Sequence, residues 1–137
     1  MGRSFQSNCY CVNLRRSAGV VSNYYDRALS ELGINASQFY LLVTLEQLDY
    51  ANGTQLAGAV GLDRSTMVRN VRVLMEHGWI QEVVKDRGKN YALTEKGRKI
   101  LNEGRPCWAR AQAALESYLG EDAKAILRIG EKLKNFA

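Results

Sequence analysis

The side chains with the chemistry to react, ligate or titrate near neutral pH are three cysteines, Cys9, Cys11 and Cys107, and one histidine, His77. A hydrolytic site built on an imidazole base therefore has one candidate. His77 stands directly before Gly78 at the end of a helix-like stretch, where a partial positive charge suits the helix dipole. Cys9 and Cys11 are two residues apart, so on a helix they point to different faces. With Cys107 distant and no carboxylate or imidazole cluster beside them, no metal-ligand spacing is present. A glycine-rich phosphate loop is also missing. These residues predict a protein that is not an enzyme and needs neither metal nor cofactor.

The remaining chemistry is charge. The 137 residues carry a net charge of +5, and the excess is local. Residues 1–62 hold four basic and four acidic side chains, residues 63–99 nine and five, and residues 100–137 six and five. A net +4 concentrated in the middle segment is the footprint expected for contact with phosphates, although a solvated helix face carries similar charge. No apolar run approaches the ~18 residues of a spanning helix, and the N-terminal stretch lacks the apolar segment of a signal peptide. The expectation is a soluble cytoplasmic protein without a membrane partner, and an odd cysteine count does not suit a secreted disulfide framework.

Which elements position the basic segment follows from periodicity. Cys11, Leu14, Ala18, Val21, Tyr25, Ala28 and Leu32 recur at steps of three and four, predicting a long amphipathic helix ended by Gly33. Asn35 with Gln38 reads as the capping box of a second helix, through Phe39 to Leu48, closed by the turn-rich stretch 49–53. Thr54 is the expected cap of a short third helix ending at Gly61. Asp63 is the expected cap of a fourth, with Met67, Val71, Leu74 and Met75 inward and Gly78 at its end. On the first turns of that fourth helix the residues left over are Arg64, Ser65, Thr66, Val68, Arg69 and Arg72, cationic or hydrogen-bonding apart from Val68. Two helices joined by a tight Gly-containing turn, the second basic at its start, form a helix-turn-helix arrangement. Residues 79–85 and 91–93 then read as a hairpin with a basic tip at Asp86-Arg87-Gly88-Lys89-Asn90. Thr94 caps a long helix with a bend expected near Gly104 and Pro106, and a last amphipathic helix follows Gly120 through Phe136.

Leu32-Gly33-Ile34 with Gln38-Phe39, Leu56-Ala57 to Leu62 followed by Ser65-Thr66 and Arg69, Leu74 with His77-Gly78-Trp79-Ile80, and Leu93-Thr94-Glu95-Lys96-Gly97 together resemble the MarR family of bacterial winged-helix transcriptional regulators. The likeness runs from about residue 9 to the C-terminus. It implies a mainly α fold (an α+β winged helix-turn-helix core at about 37–94) in one domain over 1–137, with flanking dimerisation helices at about 9–33 and 95–137. The implied function is that of a homodimeric DNA-binding regulator, a repressor released from a near-palindromic double-stranded operator by a small-molecule or oxidative signal. On that resemblance Arg64, Ser65, Thr66, Arg69 and Arg72 meet DNA from the recognition helix. Arg87 and Lys89 would do so from a wing whose tip is about one residue shorter than the family's.

The resemblance also implies an aromatic or phenolic effector between the interface helices and the winged helix, near Tyr24, Tyr25, Phe39 and Trp108. Cys11 admits two readings. As a small hydrophobe on an apolar stripe it is structural. The alternative is redox sensing, because Cys11-Val12-Asn13-Leu14 with Tyr25 is similar to the organic-hydroperoxide-sensing branch of the family, with Cys107 as a resolving partner from the other subunit. A third possibility from a different class is a winged helix that contacts protein instead of DNA.

Overall fold

A computed structural model describes residues 6–86 and 88–137. Its elements are α1 (Tyr10–Leu29), α2 (Ala36–Leu48), β1 (Ala51–Asn52), α3 (Gly53–Val60), α4 (Arg64–Glu76), β2 (Ile80–Lys85), β3 (Gly88–Leu93), α5 (Glu95–Leu119) and α6 (Asp122–Leu133), with a 3₁₀ turn at Ser30–Leu32 after α1. The expected mainly α winged helix is the architecture found. No helix among the described residues is long and apolar enough to cross a membrane.

Local side chains set most boundaries. Asn35 accepts from the Gln38 N–H at 2.8 Å while Gln38 Oε1 accepts from the Asn35 N–H at 3.1 Å, a complete capping box at the start of α2. Asp63 and Thr94 cap α4 and α5 as expected. The third helix differs. Its cap is Asn52, boxed with Gln55, rather than Thr54. The reason is tertiary: residues 51 and 52, expected to be turn, form a short strand paired antiparallel with β3 in the register Ala51↔Tyr91 and Asn52↔Asn90, which brings Asn52 to the helix start. The sheet order is β1-β3-β2, with Ile80↔Leu93 and Lys85↔Gly88 closing the hairpin. Buried Asn90 donates to the carbonyls of Lys85 and Gly88 at 3.1 and 3.2 Å, tying the turn from inside.

The core is built around Leu29, Phe39, Leu41, Leu42, Leu45, Leu56, Leu74 and Leu101, all fully buried. Two glycines permit close approaches within it. A Cβ on Gly97 would lie 1.9 Å from the Trp79 carbonyl oxygen, and one on Gly104 would lie 2.9 Å from the Phe39 ring. α5 therefore rests directly on the base of the hairpin and on α2. It runs unbroken through Pro106, which removes one intrahelical donor without ending the helix. Met75, expected to face inward, is exposed, because Met67, Val71 and Leu74 already fill the buried stripe of α4. The last helix stops at Leu133, short of Phe136.

Candidate nucleic-acid interface

The turn into α4 is made by Gly61, whose φ of 73° is the left-handed conformation glycine adopts without strain, followed by Leu62 and Asp63. Asp63 Oδ1 accepts from the Thr66 N–H at 2.7 Å and from the Ser65 hydroxyl at 2.9 Å. Those bonds, the Thr66 backbone N–H first among them, hold the Asp63 carboxyl below the usual carboxylate range. The ionised cap has a consequence for its neighbour. Ser65 has one hydroxyl proton and gives it to Asp63, so toward solvent it offers lone pairs and acts as an acceptor. Arg69 Nη2 donates to Thr66 Oγ1 at 3.3 Å, which aligns its side chain along the first turns.

Ser65, Val68, Arg69 and Arg72 are exposed at spacings of three, four and seven, so they share one face of α4, with Arg64 beside them at its start. Thr66 is half-buried and occupied by the Arg69 contact. The recognition-helix residues inferred from sequence thus come together on one side, with Thr66 at its edge. Lys89, placed at the wing tip from sequence, lies in β3 and forms an ion pair with Glu82 at 3.2 Å. The hydrogen bond to Glu82 raises the Lys89 pKa above the ordinary lysine value. Lys89 and Arg72 line the same depression between α4 and the sheet. Arg87 lies outside the described residues. His77 caps α4 and stacks on Trp79, with ring centroids 4.2 Å apart and planes 10° from parallel.

The cysteines are separated. Cys9 and Cys11 are exposed at the start of α1, where Arg15 Nη2 lies 3.6 Å from Cys11 Sγ. Cys107 is buried on α5, with Arg110 Nη2 3.6 Å from its sulfur and Glu31 Oε1 at 3.9 Å. Tyr25 stands fourteen residues along α1 from Cys11, about 21 Å at the helical rise, so one chain does not bring the two together. No group of three or more metal-ligating side chains occurs among the described residues.

Tyr25, Phe39 and Trp108 line a cleft of about 200 Å³ together with Val21, Leu29 and Tyr40. Tyr24 is not part of its wall and instead meets Tyr25 edge-on, with centroids 6.0 Å apart. The Tyr25 hydroxyl donates to Gln112 on α5, and burial is the first cause of its raised pKa. A second hollow of about 320 Å³ adjoins it, lined by Leu115, Leu119, Ile126 and Leu127, and was not evident in the sequence.

Sequence reasoning also missed a polar chain that reaches α4 from α1. Asp26 on α1 accepts from the Ala36 N–H at the start of α2 at 2.8 Å. Gln38, buried at 7% exposure, donates its Nε2 proton to Asn70 Oδ1 on α4 at 3.1 Å. The Asn35-Gln38 box was legible, but the second half of the Gln38 amide finds its partner 32 residues away.

Comparison with known proteins places this geometry. A family model described as MarR family matches residues 34–83, the helix-turn-helix and the first strand of the hairpin. Over that segment the chain is similar to the MarR family. The M. tuberculosis transcriptional regulator MosR is 29% identical, with 93% of this chain and 97% of MosR aligned and a TM-score of 0.81. MosR in complex with DNA aligns over the same shares at 28% identity and a TM-score of 0.77. A MarR-family transcriptional regulator from Rhodococcus sp. RHA1 is 27% identical over 93% of this chain and 94% of its own, with a TM-score of 0.69. The phenylalanine–tRNA ligase alpha subunit of Saccharolobus solfataricus is 32% identical over 73 residues, and the chain spans about 15% of that relative's length. The chain is similar over nearly its whole length to these transcriptional regulators and shares their winged-helix core.

Proposed function

We propose that this chain is a MarR-family regulator that acts as a homodimer on a near-palindromic duplex, with α4 of each copy in the major groove. The observation that carries the reading is the outer face of α4. Met67, Val71 and Leu74 are used by the core, whereas Arg64, Ser65, Arg69 and Arg72 project to solvent, with only the Ser65–Asp63 and Arg69–Thr66 bonds tying them to their own helix turn. Arg69 and Arg72 suit guanine edges, and Ser65 as an acceptor suits a base amino group. Arg64, beside the free N–H groups of the helix start, suits phosphate. Arg87 and Lys89 act from the wing, where the Lys89 phosphate contact competes with Glu82. That MosR was captured on DNA in the same fold supports the assignment.

In this proposal the segments at about 9–33 and about 95–137 form the dimer, and the winged helix at about 37–94 reads the operator. Repression ends when a signal favours a dimer whose two α4 helices no longer match both half-sites. The Tyr25–Phe39–Trp108 cleft between α1, α2 and α5 is the place for a small aromatic effector. Replacing Arg69 by Ala tests the reading: on a duplex selected by the protein, affinity falls by about 1–3 kcal/mol for a lost base contact. Unchanged affinity would remove α4 from the groove.

One observation favours oxidation as the signal. Cys11 is exposed in the first turn of a helix with the Arg15 guanidinium at its sulfur. Attack of its thiolate on the terminal oxygen of an organic hydroperoxide breaks the O–O bond, leaves a sulfenic acid and releases the alcohol. DNA release on hydroperoxide treatment is expected to be lost in C11S. Release that persists in C11S would exclude Cys11 as the sensor.

A further inference from the structure

Val68 is an apolar residue at the centre of the polar face of α4, and the fold does not account for it. It is 43% exposed, between a shallow depression it shares with Arg64, Ser65 and Arg69 and a second it shares with Arg72, Lys89 and Tyr91. A β-branched side chain on an exposed helix position loses rotamer freedom and lowers helix propensity. Here no core burial offsets that loss. Its neighbours are already arranged for polar work, Ser65 through its bond to Asp63 and Arg69 through its bond to Thr66.

In a major groove the base-pair edges present donors, acceptors and one apolar feature, the C5-methyl group of thymine. Cytosine lacks that methyl group. An exposed valine flanked by cations on a groove-facing helix has one apolar target of matching size. We propose that Val68 is a specificity-determining residue that packs on the 5-methyl group of a thymine in each half-site and so selects thymine over cytosine there. This rests on the reading of α4 as the DNA-binding helix.

The test uses the full chain and a duplex it selects from random-sequence DNA. Each thymine in turn, with its symmetry mate, is replaced by deoxyuridine, which removes the methyl group and leaves every hydrogen-bonding atom in place. At one symmetric pair of positions the wild-type affinity falls about tenfold, as two lost methyl contacts predict. V68A binds the thymine and deoxyuridine duplexes within twofold of each other at that pair, while V68I keeps the discrimination. Because Val68 is exposed and alanine is the better helix former, V68A retains its fold, which circular dichroism verifies. A scan in which every replacement leaves wild-type affinity within twofold overturns the proposal, as does equal discrimination by V68A and wild type. In either case a loss of affinity in R69A shows that the DNA-binding reading itself stands. If no duplex is enriched at all, both fall together.

Discussion

The winged helix, with Leu29 of α1 and Leu101 and Cys107 of α5 closing its core, buries most of its apolar surface, Leu48 and Val84 being among the exceptions, whereas α1 and α6 leave most of theirs open. Six of the thirteen residues of α2 are buried, against one of the twenty in α1 and none of the twelve in α6. Val20 on α1 is 70% exposed and Leu127 on α6 is 72% exposed, and Leu14, Ile126, Ile129 and Leu133 are uncovered as well. A contiguous apolar surface of that kind on a folded chain marks a place for a partner. The charge follows a similar division, zero over residues 1–62 and +1 over 100–137 against +4 over 63–99. One region has a filled core and an exposed basic face; the other has an apolar face that a second copy would cover. That contrast is what a dimer with two DNA-reading heads requires of its two parts.

The contrast can be broken from either side. Adding a Cβ at Gly97 strikes at the seat of α5 on the winged helix, since the methyl group would collide with the Trp79 backbone where α5 meets the hairpin. G97A is expected to destabilise the protein by about 3 kcal/mol, measured by urea unfolding. L127E strikes at the other half. It should weaken self-association about 100-fold, read by sedimentation, with the helical circular dichroism of the winged helix retained. Loss of the whole fold in L127E would mean that α6 is part of the core after all.

Smaller effects sharpen the join between the halves. N70A leaves the buried Gln38 amide without its acceptor and is expected to cost about 1 kcal/mol of stability. If the Asp26–Ala36 and Gln38–Asn70 bonds carry α1 motion to α4, D26N and N70A lower the ratio of operator to non-specific affinity and leave the non-specific term alone. The smallest effect belongs to pH. The Asp63 carboxyl is held below its unfolded value of 3.8, so its contribution to the start of α4 is complete above that value. It is lost only as pH falls through the lower folded value. Proton NMR of the Thr66 amide during acid titration should show its shift change below the ordinary carboxylate range, and D63N should abolish that transition.

Elements whose signals act within one turn were legible in the sequence. Asn35, Asp63 and Thr94 each bond a backbone N–H three residues ahead, so their caps are written locally. Asn52 and Thr54 are both helix-capping residue types within two positions, so the local sequence does not separate them, and pairing of β1 with Asn90 and Tyr91 on β3 decides for Asn52. The same limit applies to the site. The exposed set on α4 follows from helical spacing, whereas the Lys89–Glu82 pair depends on strand register and the Gln38–Asn70 bond on the crossing of α2 and α4. Gly97 was visible as part of a family-like string, but its reason, contact with the Trp79 carbonyl, exists only after α5 docks.

The central claim, that the basic face of α4 meets phosphates and bases of a duplex in two copies, is tested most directly by operator affinity as a function of salt. The slope of log affinity against log salt should be about −5 or steeper for the wild-type dimer, and R64A should make it shallower by about two, one phosphate contact per copy. A slope near zero, or a slope that R64A leaves unchanged, would contradict the account.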